Sequence, residues 1–301
     1  YEVEGDLCIQ IGTVFMRFGE DKPYLKHLIT LKGCAPIDGV EVESYENEEE
    51  VLEAWARVIK RENPDIMTGY NIFGFDYRYM YERAEELDCL DKFTDIGKVI
   101  KSRAYLEEKK VSSAAMGHNE LSILNMSGRM SVDLLKVIMR SYNLGSYKLD
   151  NVSAHFIRGY IKELHITYGE GFDITTTIKT DNTKGLTVDG FITIMINRGA
   201  FEEKYNDGQK FKILQLEGNK IIVEGEIDDS ILESKCNWCE AKDDVSPKDI
   251  FRLQKGSDSD RAIVGKYCVK DCVLCLDLMN KLSILPNKIG MANVCSVPLS
   301  Y

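Results

Sequence analysis

The chain has 301 residues, 44% hydrophobic and 29% charged, the composition of an ordinary globular protein with enough apolar content for one large core or two smaller ones. No apolar run approaches the roughly 18 residues of a membrane-spanning helix, which excludes a membrane span of that kind. The net charge of −11 argues against a broad basic face for nucleic acid, and the nine cysteines, an odd number, read as reduced thiols rather than a disulfide framework.

Cys8 to Phe15 (CIQIGTVF) predicts a strand, with His27 to Lys32 as its antiparallel neighbour. In Glu41 to Glu53, seven of thirteen residues are Glu, and this run reads as a solvated helix entrance. Val51, Leu52, Trp55, Val58 and Ile59 then follow the helical period, and Asn63-Pro64 ends that helix. Ile66 to Tyr70 predicts a short buried strand, followed by a helix over about 77–87. A second strand–helix stretch holds Ser131-Val132-Asp133-Leu134-Leu135 and runs to about Tyr142, and Ser146 to Ser153 follows it. From about Arg158 to Pro247 the helical period disappears. Strands are predicted at 191–196, 210–216 and 220–223, with Gly and Asn-Asp-Gly turns between them, as expected for a small β-rich module. A long helix over about 258–282 closes the series, with Tyr267, Asp271, Leu274 and Leu278 on one face.

Chemistry concentrates in two places. Asn63 to Asp76 (NPDIMTGYNIFGFD) sets Asn71, Phe75 and Asp76 between a strand and the mouth of a helix, and Tyr267 to Asp271 (YCVKD) sets a tyrosine one helical turn before an aspartate. Taken singly, such an aspartate is a helix cap and such a pair a packing contact. Together and in this order they closely resemble the second and third exonuclease motifs of the B-family DNA polymerases. The Asp-Leu-Leu and Ser-Tyr-x-Leu stretches after Ser131 resemble that family too, as does Asn287 to Tyr301, similar to its linker toward the palm domain. The resemblance covers about 1–157 and 247–301 and leaves the β-rich module unmatched.

The resemblance implies an α/β, ribonuclease-H-like 3′→5′ exonuclease domain. It would occupy 1–157 and 248–285, with an inserted β-rich module at 158–247 and a linker at 286–301. It implies a delta-like replicative polymerase, and the insertion suggests a large DNA virus as its source. It implies Asp76 and Asp271 as ligands of two Mg²⁺ or Mn²⁺ ions, Tyr267 as a further catalytic residue, and Asn71 and Phe75 as contacts to DNA. The implied partners are a single-stranded primer 3′ end, a primer–template duplex, a dNTP in the palm and a sliding-clamp processivity factor, with no membrane. The implied location is the site of DNA replication, in a nucleus or a viral replication compartment, not outside the cell. Asp133 reads as scaffold rather than ligand. The family's first motif, Asp-x-Glu, has no match. Glu2-Val3-Glu4 has its spacing but carries Glu for Asp and sits too close to the strand at Ile9, so the motif is expected before Tyr1. Tyr1 and the apolar run at Val297 to Leu299 accordingly read as cut ends of a longer polypeptide. The pairs Cys236/Cys239 and Cys272/Cys275 read as packing thiols rather than a zinc site. Two other readings stand beside this one: a free-standing exonuclease of the same fold, and a catalytically silent domain that binds DNA or a partner.

Overall fold

The computed structural model describes residues 5–20, 22–113, 117–169, 174–199, 201–241 and 245–299, so Glu2-Val3-Glu4 lies outside it. The chain forms two compact units, Tyr1–Leu144 with Val245–Tyr301, and Gly145–Asp244.

The first unit opens with β1 (Gln10–Phe15) and β2 (Leu25–Leu31), antiparallel and in a register that pairs Ile11 with Ile29 and Gly12 with Leu28. β3 (Glu41–Tyr45) joins β2 in parallel. The acidic run is therefore not one helix entrance, since its first part is a strand whose residues alternate across the sheet. Helix α1 (Glu48–Glu62) follows, with Glu48, Glu49 and Glu50 in its first turn and Lys60 and Arg61 in its last, the arrangement its dipole favours. It ends at Asn63, whose φ of 50° is left-handed and whose N–H returns to the Ile59 carbonyl. Its apolar stripe of Val51, Leu52, Trp55, Val58 and Ile59 is buried. Glu48 is buried too, rather than solvated. Arg83 donates to its two oxygens from Nε (2.8 Å) and Nη2 (2.5 Å), and the Cys8 N–H donates at 2.7 Å. A carboxylate is tolerated there because its charge is matched and its lone pairs are used.

β4 (Ile66–Gly69), α2 (Asp76–Glu86) and the short α3 (Leu90–Phe93) continue the unit, with Phe93 stacked on Trp55 at 5.4 Å. β5 (Tyr105–Ser113) and β6 (Gly117–Asn125) form a hairpin, and β7 (Met130–Asp133) pairs with β4 in parallel before α4 (Leu134–Ser141).

The second unit starts with α5 (Leu149–Phe156) and is otherwise β: β8 (Arg158–Tyr168), β9 (Ile174–Thr180), β10 (Phe191–Asn197), β11 (Glu202–Lys204), β12 (Phe211–Glu217), β13 (Lys220–Glu224) and β14 (Cys236–Ala241). The ladder runs β10-β12-β13-β9-β8-β14 and closes through β14 on β10, making a small antiparallel barrel with β11 beside β10. Strand irregularities fall in β8 between Ile161 and Glu163 and in β12 between Ile213 and Gln215. These are the strands that turn from one side of the barrel to the other, and an extra residue supplies the bend. Alternate residues Ile192, Ile194 and Ile196 of β10 fill the interior with Ile178, Phe211, Ile221 and Trp238. The Trp238 indole donates to Thr180 Oγ1 at 2.7 Å. Gly159 lies directly across from it, and a Cβ there would fall 2.5 Å from the indole nitrogen.

The chain then returns to the first unit with α6 (Pro247–Gln254), α7 (Asp258–Lys281) and α8 (Ile284–Cys295). Capping boxes Ser246/Asp249 and Ser257/Asp260 start α6 and α7. Small residues let α7 approach the sheet closely. Gly265 faces Leu28, and Gly12 of β1 faces Cys268 and Cys272, whose thiol donates to the Gly12 carbonyl at 3.4 Å. Arg261 donates to the carbonyls of Gly33 and Gly256, and Gln10 donates to the Arg261 carbonyl at 2.9 Å.

Candidate active site

Between β4 and α2 the chain must turn sharply, and three features hold it. The parallel register sets Asp133, at the end of β7, opposite Gly69, at the end of β4. The Asp133 carboxylate then accepts the N–H groups of Asn71 (2.9 Å), Phe73 (3.0 Å) and Leu135 (3.0 Å), pinning the loop while capping α4. Asn71 takes a left-handed φ of 65°, which asparagine tolerates. Its carbonyl accepts from the N–H groups of Gly74 and Phe75, both at 3.0 Å. Gly74 carries no Cβ because the Asn71 side chain occupies the place one would take. The hairpin braces the loop from outside, with the Ser122 N–H donating to the Phe73 carbonyl at 2.7 Å.

This turn delivers Asp76 as the first residue of α2. Burial pushes its carboxyl up from 3.8 to about 6, its own backbone N–H acts in the opposite direction, and the charge of Asp133 adds to the rise. Phe75 remains 44% exposed, stacked on Tyr79 with ring centroids 5.5 Å apart. The Tyr79 hydroxyl donates to the Asp6 carbonyl at 2.8 Å.

On α7, Tyr267 and Asp271 are one turn apart and half-buried. The helix lies on β1 and reaches β4. At Cys268 a hydrogen bond from Cys272 lowers the thiol, while burial and the charges of Asp271 and Asp76 oppose it. Asp76 opens α2 and Asp271 lies in α7, helices far apart in sequence. Asn71 and Phe75 lie in the same loop as Asp76. Cys272 is held well above its usual value by its hydrogen bond to Cys268, its burial and nearby charge including that of Asp271, which makes it a protonated packing group. Cys236 and Cys239 are buried in β14 of the other unit.

Sequence reasoning missed two parts of this construction. The three backbone N–H groups on Asp133 depend on strand pairing, although the Asp-Leu-Leu spacing already fits a capping residue. Asp277, farther along α7, is also pushed up to about 6 by burial, with Lys26 drawing it back, and nothing in its local sequence marks it.

The family model for the DNA polymerase family B exonuclease domain matches residues 1–152, half of the chain. The chain belongs to that family. A DNA polymerase of Pyramimonas orientalis virus is 43% identical over 299 residues, covering 99% of this chain and 23% of the relative. One of Phaeocystis pouchetii virus is 33% identical, covering 100% of this chain and 30% of the relative. The DNA polymerase delta catalytic subunit of Bos taurus is 31% identical, covering 100% and 20%. The chain therefore carries the exonuclease domain of a viral- and delta-type family B polymerase and spans 20–30% of the length of these relatives. No helix among the described residues is long and apolar enough to cross a membrane.

Proposed function

We propose that this chain is the 3′→5′ proofreading part of a DNA-directed DNA polymerase and hydrolyses the primer 3′ terminus. The observation that carries this reading is the match of residues 1–152 to the family B exonuclease domain, with Asp76 set at the start of α2 by the loop that Asp133 pins. Carboxylate oxygens suit hard Mg²⁺ or Mn²⁺ ions, and Asp76, buried near a second acid, is a group whose ionised form a divalent cation would favour, so the donor set fits. Two such ions would supply activation of the attacking water and stabilisation of the leaving oxygen. Asp76 and Asp271 would hold them, with two further carboxylates expected from an Asp-x-Glu segment. Tyr267, on the same helical face as Asp271, would orient the water or the scissile phosphate. Asn71 would hydrogen-bond the frayed terminal nucleotide, and the exposed Phe75 would stack on it.

On this reading residues 1–157 and 248–285 are a ribonuclease-H-like core, joined by 286–301 to a palm domain that takes the dNTP. The 158–247 module is an insertion. The partners of the intact polymerase are the single-stranded primer end, the primer–template duplex and a sliding clamp, at the site of DNA replication in a nucleus or viral replication compartment. In the intact polymerase, Asp76→Ala or Asp271→Ala should abolish digestion of a single-stranded 3′ end and leave most nucleotide incorporation. Digestion at the unmodified rate by either variant would overturn the assignment.

A further inference from the structure

We propose that His27, Glu41 and Glu43 form a second divalent-metal site, for a borderline cation of the zinc type, on the β2–β3 pair. It shares no residue with the candidate active site.

The register carries the geometry. His27 of β2 pairs with Glu41 of β3, and Glu43, two residues on, projects to the same face. Nε2 of His27 lies 2.9 Å from Oε1 of Glu43 and 3.6 Å from Oε1 of Glu41. Among the described residues this is the one group of three such side chains whose ligand atoms all fall within 4.8 Å of one another. Zinc bonds of about 2.0–2.1 Å in a tetrahedral set place neighbouring ligand atoms about 3.3 Å apart, between the two observed separations. The histidine is fully buried and the two glutamates are partly open, leaving room for water as the fourth ligand.

The surroundings suit a site more than a chance encounter. The second oxygen of Glu43 accepts the Tyr45 hydroxyl at 2.6 Å, and Arg57 donates to that hydroxyl at 3.0 Å, so the carboxylate is oriented from behind. Two adjacent strands fix all three ligands. One imidazole and two carboxylates form a harder set than thiolates yet softer than all oxygen, which selects zinc, cobalt or manganese over calcium. The present counter-ion is Arg61, with Nη1 2.9 Å from Glu41 and 3.9 Å from Glu43. Its Nε already meets Glu62 at 2.8 Å, so the guanidinium has a place to go when a metal enters.

The test uses the full chain carrying Asp76→Asn and Asp271→Asn, so that ions at the other site are not counted. Calorimetric titration with Zn²⁺, in excess Mg²⁺, should give one site. Glu43→Gln should weaken it at least tenfold, His27→Ala should remove it, and Arg61→Ala should tighten it severalfold. Co²⁺ should give the visible bands of a tetrahedral nitrogen–oxygen site, lost in Glu43→Gln with the circular dichroism unchanged. That pairing keeps the test decisive even if His27→Ala does not fold. Zinc binding indifferent to Glu43→Gln, thiolate-to-cobalt charge transfer in place of those bands, or no tightening in Arg61→Ala would each overturn the proposal.

Discussion

Removing Glu48 should cost the first unit much of its stability, because the change takes away the carboxylate with which a buried guanidinium is paired. In Glu48→Ala the buried Arg83 loses its two hydrogen bonds to Glu48. Breaking one side of such a pair costs about 3–5 kcal/mol. The Cys8 N–H also loses its acceptor, at about 1 kcal/mol. Against the roughly 5–15 kcal/mol that holds a typical domain, this is a large fraction. At about 2–4 °C per kcal/mol it lowers the midpoint by roughly 8–24 °C. The chain has two tryptophans, Trp55 in α1 and Trp238 in β14, one in each unit, so a fluorotryptophan-labelled chain followed by fluorine resonance in urea reports each unit separately. Glu48→Leu with Arg83→Met should recover most of the loss, since a well-packed apolar pair is often as stable as a buried ion pair. A Trp55 transition within about 1 kcal/mol of the unmodified chain in Glu48→Ala would refute the reasoning.

Asp76 makes stability depend on pH with a defined sign. Its carboxyl is higher in the folded chain, about 6, than its ordinary 3.8, so the folded state holds the proton more tightly. Its destabilising effect is therefore absent below about pH 4, grows as pH rises to about 6 and is complete above that, at about 1–2 kcal/mol after allowing for partial solvent screening. Asp76→Asn should remove that pH-dependent loss between pH 4 and 7, and Mg²⁺ should reduce it in the unmodified chain, both read by unfolding at a series of pH values. In the second unit, Gly159→Ala should cost about 1–3 kcal/mol at the Trp238 resonance, because the new methyl displaces the indole from Thr180.

Local regularities were legible in the sequence where one element satisfies itself. The α1 stripe follows the helical period, and the alternation of Phe191 to Asn197 follows the strand period, so each betrays its buried face. The β5–β6 hairpin was not legible, because Glu107, Glu108, Lys109 and Lys110 mask its register with charge. Glu41 to Tyr45 reads as the beginning of a helix only when the Glu count outweighs its alternation with Val42 and Ser44. Burial of Glu48 depends on Arg83, which no local pattern connects to it. The motif residues of the candidate site were visible as types and spacings. Their placement was not, because β4–β7 pairing sets the loop before Asp76 and the close approach at Gly12 sets α7. Asp133 shows the same limit: its three N–H partners come from both sides of a parallel pair.

If Asp76 and Asp271 hold one metal site, as proposed, cleavage localised by a bound iron should reveal both. Fe²⁺ in place of Mg²⁺, with ascorbate and peroxide, cuts the backbone beside wherever the ion is bound. Mapping of the fragments should show cuts around Asn71 to Tyr77 and also around Tyr267 to Cys272, both suppressed by Mg²⁺ and both lost together in Asp76→Asn or Asp271→Asn. Cuts confined to one of the two segments, or one set surviving loss of the other aspartate, would show that the two aspartates do not share a metal site.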